Sequence, residues 1–326
     1  MARPRFLPDN FTLALLAAVL AASLLPCEGR TAQVFNGVTT FAIGLLFFLH
    51  GAKLPREMLL AGVRHWRLHL TVLSCTFALF PLLGLALKPL LLPLVTPELY
   101  LGILFVCVLP STVQSSIAFT SVARGNVAAA VCSATTSNLL GIFLTPALVG
   151  LIVVAHEAGA SSLDSITRIG LQLLLPFIAG QIARKWIAHW VHRRQMMLKI
   201  VDQGSILLVV YTAFSEAVSQ GLWTQLPPLA LVGLCVLCCI LLALVLGLSM
   251  LAARRFGFNK EDEIAIVFCG SKKSMASGIP MAKVLFAGPM VGAIVLPLMV
   301  FHQIQLMVCA VLAQRYAARR KDKSPH

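Results

Sequence analysis

The chain has 326 residues, of which 59% are hydrophobic and only 12% charged, with 26 Lys and Arg against 12 Asp and Glu for a net charge of +14. That composition excludes a soluble core with a solvated surface and asks for lipid around the chain. The positive charge does not indicate nucleic acid. The basic residues sit in short stretches between apolar blocks with no DNA- or RNA-binding motif, so anionic headgroups of the lipid bilayer are the expected partner.

In chain order the apolar blocks are Phe11 to Leu25, Val34 to His50, His69 to Leu87, Tyr100 to Ala123, Val127 to Ala155, Ile166 to Ile182, Ile200 to Val218, Pro228 to Leu251, Glu263 to Phe286 and Pro289 to Ala313. Most are long enough to cross ~30 Å of hydrocarbon as helices. They lack the alternation of a barrel strand, which leaves helices as the spanning structure. The expectation is one all-α polytopic membrane domain over residues 1–326 with ten spans. Arg3 and Arg5 ahead of the first block look like a signal peptide, but Leu24, Leu25 and Pro26 before Cys27 are not the small residues that cleavage needs, so the block is read as a retained helix.

Arg64, Arg67, Arg124, Arg184, Lys185, Arg193, Arg194, Arg254, Arg255 and Arg315 fall at alternate ends of the blocks, while Arg30, Lys88, Arg168 and Lys283 fall on the other side. The excess marks the cytoplasmic face and places both termini there, in a plasma (inner) membrane. Cysteines lie mostly inside apolar blocks, which argues against a disulfide framework, and Cys235, Cys238 and Cys239 read as packing residues. The pairs His65 with His69 and His189 with His192 flank Trp66, Trp186 and Trp190 and read as interface anchors.

The polar stretch from Glu157 to Ser165 divides the blocks into two sets of five. Repeats of five, an odd number, would enter the membrane in opposite senses, so the expected architecture is two inverted repeats over about 11–155 and 165–315. The fourth block of each set is interrupted. One carries Leu109-Pro110-Ser111-Thr112-Val113-Gln114-Ser115-Ser116, where proline removes a donor and hydroxyls compete for backbone partners. The other carries Gly270-Ser271-Lys272-Lys273-Ser274 and, further on, Gly278 and Pro280. Broken helices at membrane depth gather ions and polar solutes at their ends, and intramembrane lysines are costly to keep. Gln114, Ser115, Ser116, Ser271, Lys272, Lys273 and Ser274 are therefore the candidate binding residues of the two breaks, with Gln114 placed inside the first. Gln203, Ser205, Tyr211, Thr212, Ser215, Glu216, His302, Gln303 and Gln305 read first as interhelical hydrogen-bonding groups.

The runs PSTVQSSIAFTSVARGN from Pro110 to Asn126 and GSKKSMASGIPMA from Gly270 to Ala282, with Phe48 to Leu54 and Trp66 to His69, resemble the bile acid:sodium symporter family, in particular a branch named as sodium-dependent transporters. The resemblance implies five-plus-five inverted repeats, fourth and ninth helices that unwind and cross at a transport site, and a core domain moving against a panel domain. It implies secondary active transport of a small solute coupled to sodium or another cation, with Ser115 and Ser116 near a sodium position. Departures from the pattern are clear. Ala130 and Ala134 stand where the family has sodium-binding hydroxyls, with Ser133 and Asn138 close by as the candidate binding residues of that helix; Ser271 stands near the place of its shared glutamate, and Thr76 near that of a glutamine.

A basic site at helix ends suits an organic anion. At least one of Lys272 and Lys273 is expected to bind such a solute or to replace a coupling cation, against the alternative that both snorkel to water. No cofactor beyond a sodium ion is expected. A channel or regulatory membrane protein is the competing class. A Ser-Lys hydrolase built on Ser271 or Ser274 is a remote one, and the chain is not expected to be an enzyme.

Overall fold

The structure, a computed structural model, describes residues 10–53, 65–91, 94–153, 163–286 and 288–321. Arg3, Arg5, Arg56, Arg64 and the greater part of the polar stretch between the halves lie outside them. Among the described residues the secondary structure is helical with no strand.

The first half contains α1 (Asn10–Leu24), α2 (Gly29–Lys53), α3 (Trp66–Ala86), α4 (Pro97–Val108), α5 (Val113–Val122) and α6 (Val127–Leu148). The second contains α7 (Leu163–Arg193), α8 (Gln195–Ser219), α9 (Pro228–Arg255), α10 (Lys260–Gly270), α11 (Met275–Leu285) and α12 (Met290–Lys321). Among the described residues six helices are each long and apolar enough to cross a membrane, and α4 with α5, bent by 65° at their break, makes a seventh if the pair is one span. The chain is thus an all-helical, multi-pass membrane protein. Large apolar side chains stay exposed along α1 (Leu13, Leu16, Leu20) and α9 (Leu229, Val232, Val236), as lipid-facing residues do.

The chain divides into two compact units. Unit 1 comprises Met1–Leu54, Ala160–Pro227 and Ile279–Leu296, and unit 2 comprises Pro55–Gly159, Pro228–Gly278 and Pro297–His326. Within unit 1, α2 packs on α7 and α1 on α8. The α2–α7 crossing brings backbones together. A Cβ on Gly51 would stand 2.1 Å from the Phe177 carbonyl oxygen, and one on Gly180 would stand 1.9 Å from that of Phe48. Glycine at both points removes the atom that would hold the helices apart. Polar groups of α8 are spent on neighbours. Tyr211 donates to the Leu25 carbonyl at 2.8 Å, the Cys27 backbone N–H bonds the Ser215 hydroxyl, and Thr39 bonds Thr212 at 3.4 Å. Lys53 and Asp202 form an ion pair at 2.5 Å, and Lys283 and Glu216 another at 2.9 Å.

Unit 2 holds both interrupted helices. Helix starts follow capping rules: Thr96 accepts from the Leu99 N–H ahead of a proline at the first helical position, Asn126 caps α6 and Asn259 caps α10. Glu261, Asp262 and Glu263 in the first turn of α10 complement its dipole. Glu263 is also held by Arg254, Lys260 and Tyr316. The α3 helix contains a π turn at Cys75–Leu79 just before Pro81, a feature absent from the sequence reading.

Candidate functional site

Pro110 ends the first half of the fourth span. Leu109 is extended (φ −73°, ψ 153°), so the last carbonyls of α4 have no helical donor. They find partners within unit 2. The Thr145 hydroxyl donates to the Val108 carbonyl at 2.9 Å and Lys273 Nζ to that of Cys107 at 2.7 Å, while in the break itself the Ser111 N–H donates to the Ser137 hydroxyl at 3.0 Å. The break lies open at Leu109 to Thr112, and α5 starts at Val113.

In the ninth span α10 stops at Gly270 and α11 begins at Met275, leaving Ser271 to Ser274 unwound. The carbonyl end of α10 is capped from the other break: Ser111 donates to the Cys269 carbonyl at 2.6 Å and Ser116 to that of Phe268 at 3.1 Å. The Ser274 N–H donates to the Pro110 carbonyl at 2.8 Å, and Thr112 donates to the Lys273 carbonyl at 2.8 Å. The two breaks therefore meet, each supplying groups that the other's unwound backbone lacks. Ser274 caps α11 by accepting from the Ser277 N–H at 3.2 Å, and Ser277 donates to Asn138 Oδ1 at 2.7 Å.

The two lysines are fully buried, which overturns the alternative that both snorkel to water. Their surroundings differ. Lys273 Nζ donates to the carbonyls of Thr76 at 2.8 Å, Cys107 at 2.7 Å and Leu109 at 2.8 Å, and it lies 4.0 Å from the centre of the Phe80 ring. Lys272 Nζ has no oxygen acceptor. It lies 4.2 Å from the centre of the Phe119 ring, with the Cys309 and Cys269 thiols as its polar neighbours. Neither ammonium bonds a serine hydroxyl.

Of the residues singled out in the sequence, Ser116, Asn138, Lys273 and Ser274 join this network. The Ser271 hydroxyl turns back to the Val267 carbonyl at 2.6 Å. Ser115 Oγ is buried without a hydrogen-bond partner. Gln114 is not in the break: it occupies the first turn of α5 and is exposed, because the proline-driven interruption is already complete at Thr112. Ser133 bonds His69 Nδ1 at 2.7 Å, and His69 is buried rather than an interface anchor. Ser111 and Thr112, which the sequence does not single out as binding residues, tie the two breaks together, Ser277 joins the second break to Asn138 of α6, and Gln305 of α12 pairs with the backbone of Lys273. The signal for Ser111 and Thr112 was the proline beside them. For Gln305, an amide midway along an apolar span, it was its position alone.

Two interrupted helices stitched to each other inside an apolar helical bundle define a membrane transporter of the broken-helix class. The model of the SBF-like CPA transporter family matches residues 9–318, and the chain belongs to that family. It is similar to an uncharacterised protein of Pseudomonas aeruginosa, 70% identical over 99% of this chain and 97% of the relative. A protein of Escherichia coli that bears the provisional symporter name YfeH is 57% identical over 94% of this chain and 92% of its own. Sodium/bile acid cotransporter 7 of Rattus norvegicus is 30% identical over 93% and 90%. The kinship read from the Pro110 and Gly270 motifs with the bile acid:sodium symporters is therefore correct, and the transporter class with it.

Proposed function

We propose that the chain is a secondary active transporter that moves a small organic anion by alternating access, coupled to a cation. The observation that carries this reading is the reciprocal capping of the two breaks, beside which Lys272 of the second break keeps a buried ammonium without an oxygen partner, against the Phe119 ring of α5. A buried ammonium held only by an aromatic face and thiols is costly, and an anionic solute would offset that cost. Ser115, whose hydroxyl is buried and unpartnered, and Ser116, whose oxygen keeps its lone pairs, are the groups available to a coupling cation such as sodium.

The reading includes ten spans in two inverted five-helix repeats within one transporter domain of the plasma (inner) membrane, with both termini cytoplasmic. Two features support it. Each unit draws equivalent spans from the two halves: the first, second, sixth and seventh in unit 1, and the third to fifth with the eighth and most of the ninth and tenth in unit 2. The pairing of α2 with α7 and of α1 with α8 maps onto itself when the halves are exchanged. In the terms of the family resemblance, unit 2 corresponds to the core and unit 1 to the panel.

The test is a substrate screen in reconstituted vesicles under separate sodium and proton gradients. Saturable uptake of an anionic solute that follows one gradient supports the reading. Flux that never saturates and ignores both gradients would replace it with a channel.

A further inference from the structure

In unit 2 every N–H of the Lys273 ammonium has an oxygen partner, and the sequence explains how these partners arise. In the π turn of α3 the Phe80 N–H bonds the Cys75 carbonyl, and the next residue able to reach Thr76 along the helix, Pro81, has no N–H. The Thr76 carbonyl is left free. On the facing side Pro110 stops α4, so its C-terminal carbonyls, Cys107 and Leu109 among them, are also free, at the negative end of a 12-residue helix. Three carbonyl oxygens from two elements thus converge with the face of Phe80. Such a cage of unwound backbone and half-helix C-terminal carbonyls is the arrangement in which broken-helix transporters hold a small cation. Here it holds an ammonium, with all three N–H groups matched by oxygens at 2.7 to 2.8 Å and the ring closing a fourth side.

We propose that Lys273 is a tethered cation: its ammonium permanently fills an ion position of the transport site, so that position takes no sodium during the cycle. A diffusible ion at this cage would bind and leave in each turnover, carrying its gradient into the reaction. An ammonium attached to residue 273 cannot leave, so it supplies the charge that holds α3, α4 and the ninth-span break together without supplying coupling. Any coupling ion must then act elsewhere, which leaves Ser115 and Ser116 as its place. The ion-coupling part of this inference rests on the transporter reading. The cage itself does not.

The test separates the two. In purified protein, with no solute present, the thermal midpoint is measured in sodium, in methylammonium and in the bulky cation N-methylglucamine. Lys273→Ala empties the cage. The variant is expected to melt several degrees below wild type in N-methylglucamine and to regain at least half of that loss in sodium or methylammonium, while the wild-type difference between buffers is smaller than the variant's. An alanine variant whose midpoint is the same in all three buffers, or a wild type that responds as strongly, overturns the proposal. Lys273→Met fills the space without the charge and keeps the test readable where the alanine variant does not accumulate. It is expected to be less stable than wild type in every buffer, and a methionine variant as stable as wild type also overturns it. Because no transport is measured, failure of the cage and failure of the transporter reading are told apart.

Discussion

The side-chain amide of Gln305 pairs with both backbone groups of Lys273. Its Oε1 accepts from the Lys273 N–H at 3.0 Å and its Nε2 donates to the Lys273 carbonyl at 3.0 Å. A glutamine from α12 thus does for the unwound residue what a neighbouring peptide unit does in a sheet. It is fully buried, and its Nε2 also lies 2.8 Å from His302 Nδ1. The Lys273 carbonyl has a second donor in Thr112, but no other acceptor is seen for the N–H.

Gln305→Leu should therefore orphan a buried N–H and cost about 1–3 kcal/mol. Gln305→Glu keeps an acceptor for the N–H while losing the donor to the carbonyl, and its loss should depend on whether the new carboxyl stays neutral. The thermal midpoint in detergent measures both. A leucine variant as stable as wild type would show that the pairing contributes nothing.

The crossing of α2 and α7 gives a prediction of a different kind. Gly51→Ala and Gly180→Ala each place a methyl group against a carbonyl oxygen, at 2.1 and 1.9 Å, closer than atoms can stand. Each single variant should lower the midpoint, because the helices must separate. Once one alanine has forced the gap, the second meets less resistance. The double variant should therefore lose clearly less than the sum of the singles, and strict additivity in the cycle would count against a shared crossing point.

Much of this was legible in the sequence because lipid leaves the backbone few choices. Apolar blocks such as Pro228 to Leu251 had to be helices, and Pro110 and the Gly270 to Ser274 run had to interrupt theirs. What filled the interruptions was not legible. Pro81 signals a freed carbonyl, but Lys273, 197 residues away, fills it only because the chain folds them together. Nothing local distinguishes Lys272 from Lys273, whose surroundings are set by α5, α4 and α3. Gln114 is polar yet helical, because polar character alone does not unwind a helix and helix resumes at Val113 as soon as proline's constraint has passed. Trp66 beside His69 points to an interface, but the partner of His69, Ser133, lies 64 residues away on α6, beyond the reach of any local pattern.

Asn126 joins the start of α6 to the start of α10. Its Oδ1 accepts from the Ala129 N–H at 3.0 Å and its Nδ2 donates to Asp262 Oδ1 at 2.8 Å. Asn126→Asp retains a good helix cap but replaces the donor with a second acceptor, so two carboxylates face one another. The variant should be less stable than wild type at neutral pH. Adding Asp262→Asn restores a donor across the pair and should recover a large part of the midpoint. A double variant no better than Asn126→Asp alone would show that the contact between these side chains does not matter.

The two lysines should respond to neutralisation in opposite ways. Lys273→Gln removes a charge that three carbonyls and a ring are arranged to hold, and an amide has only two N–H groups to offer them. Its midpoint should fall. Lys272→Gln removes a charge that has a ring and thiols but no oxygen partner, so the midpoint should stay or rise, because a buried ammonium without an oxygen acceptor costs stability. Transport should show the reverse emphasis. If Lys272 supplies the charge that receives an anionic solute, Lys272→Gln should weaken uptake at least tenfold in a protein that inserts and melts normally. Glutamine keeps most of the length of lysine, which limits the packing change at Phe119 and leaves charge as the main variable. Parallel midpoints and vesicle uptake for the two variants give the comparison. Wild-type uptake kinetics in a well-folded Lys272→Gln protein would remove this lysine from the transport site.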